Sequence, residues 1–296
     1  MAKKNKKSGN SISEKIVELS HDAYKKDYGI AVLRNLSVDL VKNCVMGEDM
    51  IIPDGKSKKN LTDAIVSLYF HMHPSIVCKK MENGVLIKIP GDKSISHRAL
   101  ILGALTVGET IARGLLESED VMSTANALEI LGAKIVRKGS GFWSIQGVGI
   151  GGFRQPDNVI DCGNSGTSVR LLMGAVSTSF INVTFTGDNS LRKRPMDRVL
   201  IPLSGFGTSF STNVDNKLPI HVSGSEEPIP ISYKLPVPSA QVKSAILLGG
   251  LNARGRTTVV ETEASRDHTE KMLKAFGANI LIEKNANCSK IVTKVT

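Results

Sequence analysis

Between residues 85 and 296 the sequence repeats itself, and this constrains the fold more than any bulk property. Gly103-Ala104-Leu105 returns as Gly174-Ala175-Val176 and as Gly249-Gly250-Leu251, and a glycine closing a helical pattern returns as Gly132, Gly207 and Gly277. Each copy reads alike. A short apolar strand enters a polar loop and a helix of small and aliphatic residues, followed by a β-branched strand (Thr110-Ile111-Ala112, Asn182-Val183-Thr184-Phe185, Thr257-Thr258-Val259-Val260). An amphipathic helix comes next, over 121–131 in the first copy, with Met122, Ala125, Leu128 and Leu131 on one face, and over 267–276 in the third. Two short strands close the unit, as in Lys134-Ile135-Val136-Arg137 and Phe142-Trp143-Ser144-Ile145. The stretches 99–104, 171–175 and 245–250 are small or aliphatic on nearly every side, as wholly buried helices are. These features predict an α/β fold of three β-α-β-α-β-β units, at about 85–155, 156–225 and 226–296. One unit cannot bury both faces of its helices, so the three pack around a pseudo-threefold axis with the small-residue helices innermost.

Residues 1–84 stand outside the repeat and form an unassigned, partly helical segment. Ile16, Val17 and Leu19, then Ile30, Val32, Leu33, Leu36 and Leu40, lie at broken helical spacing and predict helix over 12–46 with a turn near Gly29. A second helix is expected over 61–71, capped by Asn60 or Thr62. His71 and His73 read as a helix-end surface pair, two ligands being too few for a metal site. Four lysines among the first seven residues make a solvated basic tail.

The net charge of +10 suits nucleic acid or small anions, and with aromatics at 4% and no aromatic interleaving, small anionic substrates are the better match. No apolar run approaches the ~18 residues of a membrane span. The four cysteines (Cys44, Cys78, Cys162, Cys288) lack paired or metal-ligand spacing and read as free thiols in a reducing cytoplasm.

The chemistry gathers where each first strand meets its buried helix. The three loops are Pro90-Gly91-Asp92-Lys93-Ser94-Ile95-Ser96-His97-Arg98, Asp161-Cys162-Gly163-Asn164-Ser165-Gly166-Thr167-Ser168-Val169-Arg170 and Pro236-Val237-Pro238-Ser239-Ala240-Gln241-Val242-Lys243. Each puts hydroxyl, amide or glycine groups at a helix start with a cation close behind, and unpaired N–H groups there favour phosphate or carboxylate. Any one loop is equally accounted for by structure: Ser94 and Thr167 as helix caps, Gly166 as a turn residue, Arg98 as a surface cation. Three at matching positions, two with an arginine on an apolar helix, point to an anion pocket. Leu191-Arg192-Lys193-Arg194-Pro195-Met196 adds a further cluster, a solvated corner or an anion clamp, with Pro195 expected in the first turn of a helix and Arg194 just ahead of it.

With Ser265-Arg266-Asp267-His268-Thr269-Glu270, these motifs resemble the 5-enolpyruvylshikimate-3-phosphate (EPSP) synthases, nearest the bacterial class that includes glyphosate-tolerant members. The resemblance covers about 210 residues and implies the first domain of the family's inside-out α/β barrel, agreeing with the repeat count. It implies that Lys93, Ser94, Arg98, Ser239, Ala240, Gln241 and Arg266 hold shikimate 3-phosphate. Lys93, Asn164, Gly166, Arg194 and Gln241 would line the phosphoenolpyruvate site, Lys93 being a candidate for catalysis as well. The implied reaction transfers the enolpyruvyl group to the 5-hydroxyl of shikimate 3-phosphate, without metal or organic cofactor, in a mostly monomeric family. The family's acid–base carboxylates belong to a second domain, which is expected to be missing, so the alternative is a non-catalytic substrate-binding remnant. A sister family acting on UDP-N-acetylglucosamine would show lysine-asparagine where this chain has Lys93-Ser94, and a reactive loop cysteine.

Overall fold

In the computed structural model of the chain, the residues described are 91–212, 215–284 and 291–296, with the strand segments 4–5, 14–21, 30–39, 44–53, 77–81 and 84–88. The chain divides into two compact units, Met1–His71 and Met72–Thr296. In the first unit, β1 (Lys4–Asn5), β2 (Glu14–His21), β3 (Ile30–Asp39) and β4 (Cys44–Pro53) form one antiparallel sheet in sequence order. Register pairs Ile16 with Ser37 and Val32 with Ile51. The helix expected over 12–46 is therefore overturned. Its apolar positions never held a clean 3.6-residue period, and Val32, Leu36 and Val38 also fit a period of two, in a stretch rich in β-branched Ile16, Val17, Ile30, Val32 and Val38. The helix expected over 61–71 and the His71/His73 pair lie outside the described residues.

The second unit holds the repeat. Its first copy runs α1 (Lys93–Leu105), β7 (Val107–Arg113), α2 (Glu119–Ile130), β8 (Lys134–Gly139) and β9 (Phe142–Val148). The next runs β10 (Ile160–Asp161), α3 (Gly166–Val176), β11 (Asn182–Thr186), α4 (Asp197–Ser204), β12 (Ser209–Thr212) and β13 (Ile220–Ser223). The last runs β14 (Ser232–Lys234), α5 (Ala240–Gly250), β15 (Thr257–Glu261), α6 (His268–Ala275), β16 (Ile280–Lys284) and β17 (Ile291–Val295). The second and third copies build equivalent sheets, β10-β11-β13-β12 and β14-β15-β17-β16, with the first pair of each parallel and the rest antiparallel.

The first copy departs from the expected pattern. Its sheet is β7-β9-β8, and the strand ahead of α1, β6 (Gly84–Lys88), pairs antiparallel with β5 (Val77–Met81) instead of parallel with β7. The register brings Met81 opposite Gly84, so the connection is as short as the tightest hairpins, which a local antiparallel pair exploits at little loop entropy.

The inner helices are buried as their composition demands: Leu100, Ile101, Ala104, Leu171, Leu172, Ala245, Ile246 and Leu247 all belong to one core. Of the repeated glycines, Gly174 and Gly249 mark where α3 and α5 meet, while Gly103 packs on Ile145 and Thr110 of its own copy's sheet. A Cβ on Gly174 would stand 2.3 Å from the carbonyl oxygen of Ala245 on α5, so only glycine allows this approach of two backbones. Gly132, Gly207 and Gly277, which end the second helix of each copy, share φ values of +104°, +91° and +89°, where a Cβ is strained.

Candidate functional site

The three helix starts are capped in the same way. The Asp92 carboxylate accepts from the Ile95 N–H at 2.8 Å, Ser165 Oγ accepts from Ser168 N–H at 3.1 Å, and Ser239 Oγ accepts from Val242 N–H at 3.4 Å. The capping reading of Ser94 and Thr167 is thus overturned. Their hydroxyls face side chains from the third copy: Arg266 Nη1 donates to Ser94 Oγ at 3.3 Å, and Gln241 Nε2 donates to Thr167 Oγ1 at 3.0 Å. Ser94, Arg98, Thr167, Ala240, Gln241, Arg266 and His268 line one cleft.

Arg98 is not a surface cation. It is 5% exposed, and its guanidinium ties three helices together, donating to Ser94 O (2.9 Å) on α1, Ser244 Oγ (2.6 Å) on α5 and Thr269 Oγ1 (2.6 Å) on α6. Burial, and then the neighbouring Arg266 guanidinium, push its pKa down, against a smaller opposing pull from Glu270. Lys93 is half-exposed and pairs with the Asp120 carboxylate at the start of α2. The cation of the third loop, Lys243, faces the other way. It is fully buried, with Nζ 2.8 Å from Glu261 Oε2 and 2.6 Å from Glu270 Oε1, so it neutralises core carboxylates and is closed to an anion.

Beside this cleft lies a second group of cations. Arg170, half-buried on α3, donates from Nη1 to Gly166 O and to Gln241 Oε1, both at 3.1 Å. Its pKa is lowered by burial and then by the Arg194 and Arg198 guanidiniums. A Cβ on Gly166 would stand 2.7 Å from Arg170 Nη1 and 3.1 Å from Arg194 Nη1, so both guanidiniums hang over the helix start. Arg194 also donates from Nη2 to Asn164 Oδ1 at 2.5 Å. Residues Leu191–Lys193 form a 3-10 turn and α4 begins at Asp197, so Pro195 lies ahead of the helix and not in its first turn. The helix start is displaced because Arg194 and Met196 hold extended or bridging backbone. Sequence reasoning left Arg170, Thr167 and His268 out of the site. For Arg170 the signal was present, since an arginine on an apolar helix needs a reason to be there.

Behind the loops runs a buried chain of hydroxyls. His97 Nδ1 meets Thr124 Oγ1 at 2.8 Å, Thr124 Oγ1 meets Ser168 Oγ at 2.6 Å, and Ser168 Oγ donates to the capping Ser165 Oγ at 2.6 Å. It locks the starts of α1 and α3 to α2. His97 is wholly buried, its Nε2 has no partner among the described residues, and burial, reinforced by the Lys93 cation, lowers its pKa to about 4. Cys162 is buried too, which pushes its thiol up to about 12 and makes it unreactive. Among the described residues no group of three or more His, Cys, Asp or Glu side chains is placed to hold a metal ion.

What these groups offer is two adjacent cationic sites, Arg98/Arg266 and Arg170/Arg194, with Gln241 between them, lining the first and accepting from Arg170 of the second. A family model described as EPSP synthase (3-phosphoshikimate 1-carboxyvinyltransferase) matches residues 79–293. The chain belongs to the EPSP synthase family. Its relatives include proteins named 3-phosphoshikimate 1-carboxyvinyltransferase from Ruegeria sp. (strain TM1040), 60% identical over 195 residues, and Dinoroseobacter shibae, 58% identical over 196 residues. Each alignment takes in 66% of this chain and 43% or 44% of the relative. An EPSP synthase structure from Acinetobacter baumannii superposes with a TM-score of 0.65 at 43% identity, over 69% of this chain and 45% of that one. The chain thus spans somewhat under half the length of these relatives, over the inside-out α/β part of the EPSP synthase fold.

Residues 3–123 also match a family model described as Heparinase II/III-like, C-terminal. The two matches overlap over 79–123, where α1 carries the EPSP synthase loop, while the antiparallel sheet of β1–β4 lies in the second match alone.

Proposed function

We propose that this chain binds shikimate 3-phosphate and phosphoenolpyruvate side by side, for transfer of the enolpyruvyl group to the 5-hydroxyl of shikimate 3-phosphate. The observation that carries this reading is two neighbouring guanidinium pairs, Arg98/Arg266 and Arg170/Arg194, with Gln241 lining the first and bonded to the second, because two anionic substrates must be held in contact without their charges driving them apart. Ser94, Arg98, Ala240, Gln241 and Arg266 then hold shikimate 3-phosphate, and Gly166, Arg170, Arg194 and Gln241 hold phosphoenolpyruvate. Ser239 serves as the cap that sets Ala240 and Gln241 in place, and Lys93 reaches either ligand once it leaves Asp120. The cations favour the anionic transition state of the addition. Proton transfer to the methylene carbon and from the hydroxyl needs acid and base groups besides these, since no carboxylate lines the cleft among the described residues. That observation favours a second reading, in which a polypeptide of these 296 residues binds both substrates without turning them over. On the first reading the protein serves aromatic amino acid biosynthesis, and on either it is cytoplasmic and monomeric and takes glyphosate on the Arg170/Arg194 side.

Calorimetry with shikimate 3-phosphate tests the pocket. Arg266 is exposed and among the described residues makes a single long hydrogen bond, so Arg266→Gln leaves folding nearly untouched while affinity falls about tenfold. Arg98→Ala would confound binding with loss of a three-helix tie. A parent that fails to bind, or a variant that titrates like it, overturns the assignment, and a phosphate-release assay with both substrates separates the two readings.

A further inference from the structure

The resemblance gives Asn164 to phosphoenolpyruvate, yet both ends of its amide are already engaged. Its Nδ2 donates to Asp188 Oδ2 at 2.7 Å, and its Oδ1 accepts from Arg194 Nη2 at 2.5 Å. Asp188 is itself fixed in the loop between β11 and the 3-10 turn. Its Oδ1 accepts from Leu191 N–H at 2.7 Å, and its own N–H donates to Gly163 O at 2.9 Å. A carboxylate only accepts and a guanidinium only donates, so the amide between them has one permitted orientation. Nη1 of Arg194 is then the end left over Gly166, beside Nη1 of Arg170.

We infer that Asp188 is a positioning residue which, acting through Asn164, aims the free edge of Arg194 at the anion held over the start of α3. This deepens the proposed function and rests on its assignment of phosphoenolpyruvate to that side. Backbone N–H groups and Asn164 hold the Asp188 carboxyl below the usual carboxylate range, in keeping with a permanently charged acceptor. Neither Asp188 nor its neighbours in the loop line the Ser94/Arg266 cleft. Its influence is therefore confined to one of the two ligands, which an overall folding role would not produce.

The test is a pair of variants of the full chain, titrated with phosphoenolpyruvate and separately with shikimate 3-phosphate. Asp188→Asn keeps an oxygen for the Leu191 N–H but turns an amide N–H toward Asn164. Asn164 must then flip and set its own N–H groups against Arg194. Phosphoenolpyruvate affinity should fall about tenfold and shikimate 3-phosphate affinity less than about twofold. The swap Asn164→Asp with Asp188→Asn restores the donor–acceptor order and should recover most of the loss. Equal phosphoenolpyruvate affinity in Asp188→Asn and the parent, a parallel fall for both ligands, or a swap no better than the single variant each overturn the relay while leaving the binding assignment intact. A parent that binds shikimate 3-phosphate but not phosphoenolpyruvate overturns the assignment and the relay with it.

Discussion

Acid should release a defined part of this protein's stability through one side chain, His97. The imidazole is wholly buried, bonded only through Nδ1, and flanked by Lys93, Arg98, Asp92 and Asp120, whose cations and carboxylates partly cancel. Desolvation therefore dominates, and the folded protein keeps the ring neutral down to about pH 4, whereas the unfolded chain protonates it near 6.5. Between those values only the unfolded state binds the extra proton, so stability falls as the pH drops from 6.5 toward 4 and is undiminished above 6.5. At about 1.4 kcal/mol per pH unit the whole interval is worth about 3 kcal/mol. His97→Asn removes the titration while keeping a polar atom near Nδ1 for Thr124, and it deletes the unpartnered Nε2. Trp143 is the single tryptophan and lies buried in β9, so its fluorescence in denaturant reports on the repeat-bearing unit. The parent's unfolding free energy should drop from pH 7 to pH 4 by about 3 kcal/mol more than the variant's, and carboxylates such as Glu117 cancel in the difference. Parallel pH profiles would refute the reasoning, showing that the ring is either protonated in the folded state or reached by water.

Two further outcomes test the packing and the anion side. Gly174→Ala sets a methyl 2.3 Å from Ala245 O, against backbone that cannot swing away, and should cost about 3 kcal/mol or more, or abolish folding, in the same fluorescence assay. Gly166→Ala meets only the far ends of Arg170 and Arg194, so melting should shift by less than about 1 kcal/mol while phosphoenolpyruvate and glyphosate affinities fall, the longer glyphosate losing more. Equal losses for the two ligands would show that a methyl at this position does not discriminate between them.

How much of this was legible in the sequence depended on whether the determining contacts were local. The glycines at 132, 207 and 277 declared themselves because a backbone at φ near +90° excludes other residues whatever surrounds it. The buried helices declared themselves because complete burial leaves no polar face. Where two readings competed for the same residues, long-range partners decided. Ser94 and Thr167 looked like caps until Asp92 and Ser165, each two residues earlier, took that task and freed both hydroxyls for Arg266 and Gln241. Lys243 sat at the right distance from its helix start to be an anion ligand, but the direction of its side chain depends on Glu261 and Glu270, 18 and 27 positions further on. The strands of 14–53 were misread because their apolar residues satisfy fragments of both periods, and sheet pairing, a contact between distant residues, settled the matter. The same logic explains why Asp188 went unnoticed. An acidic residue in a glycine-asparagine loop reads as turn chemistry, and its work on Arg194 becomes visible only when Asn164, 24 residues away, is placed between them with a single permitted amide orientation.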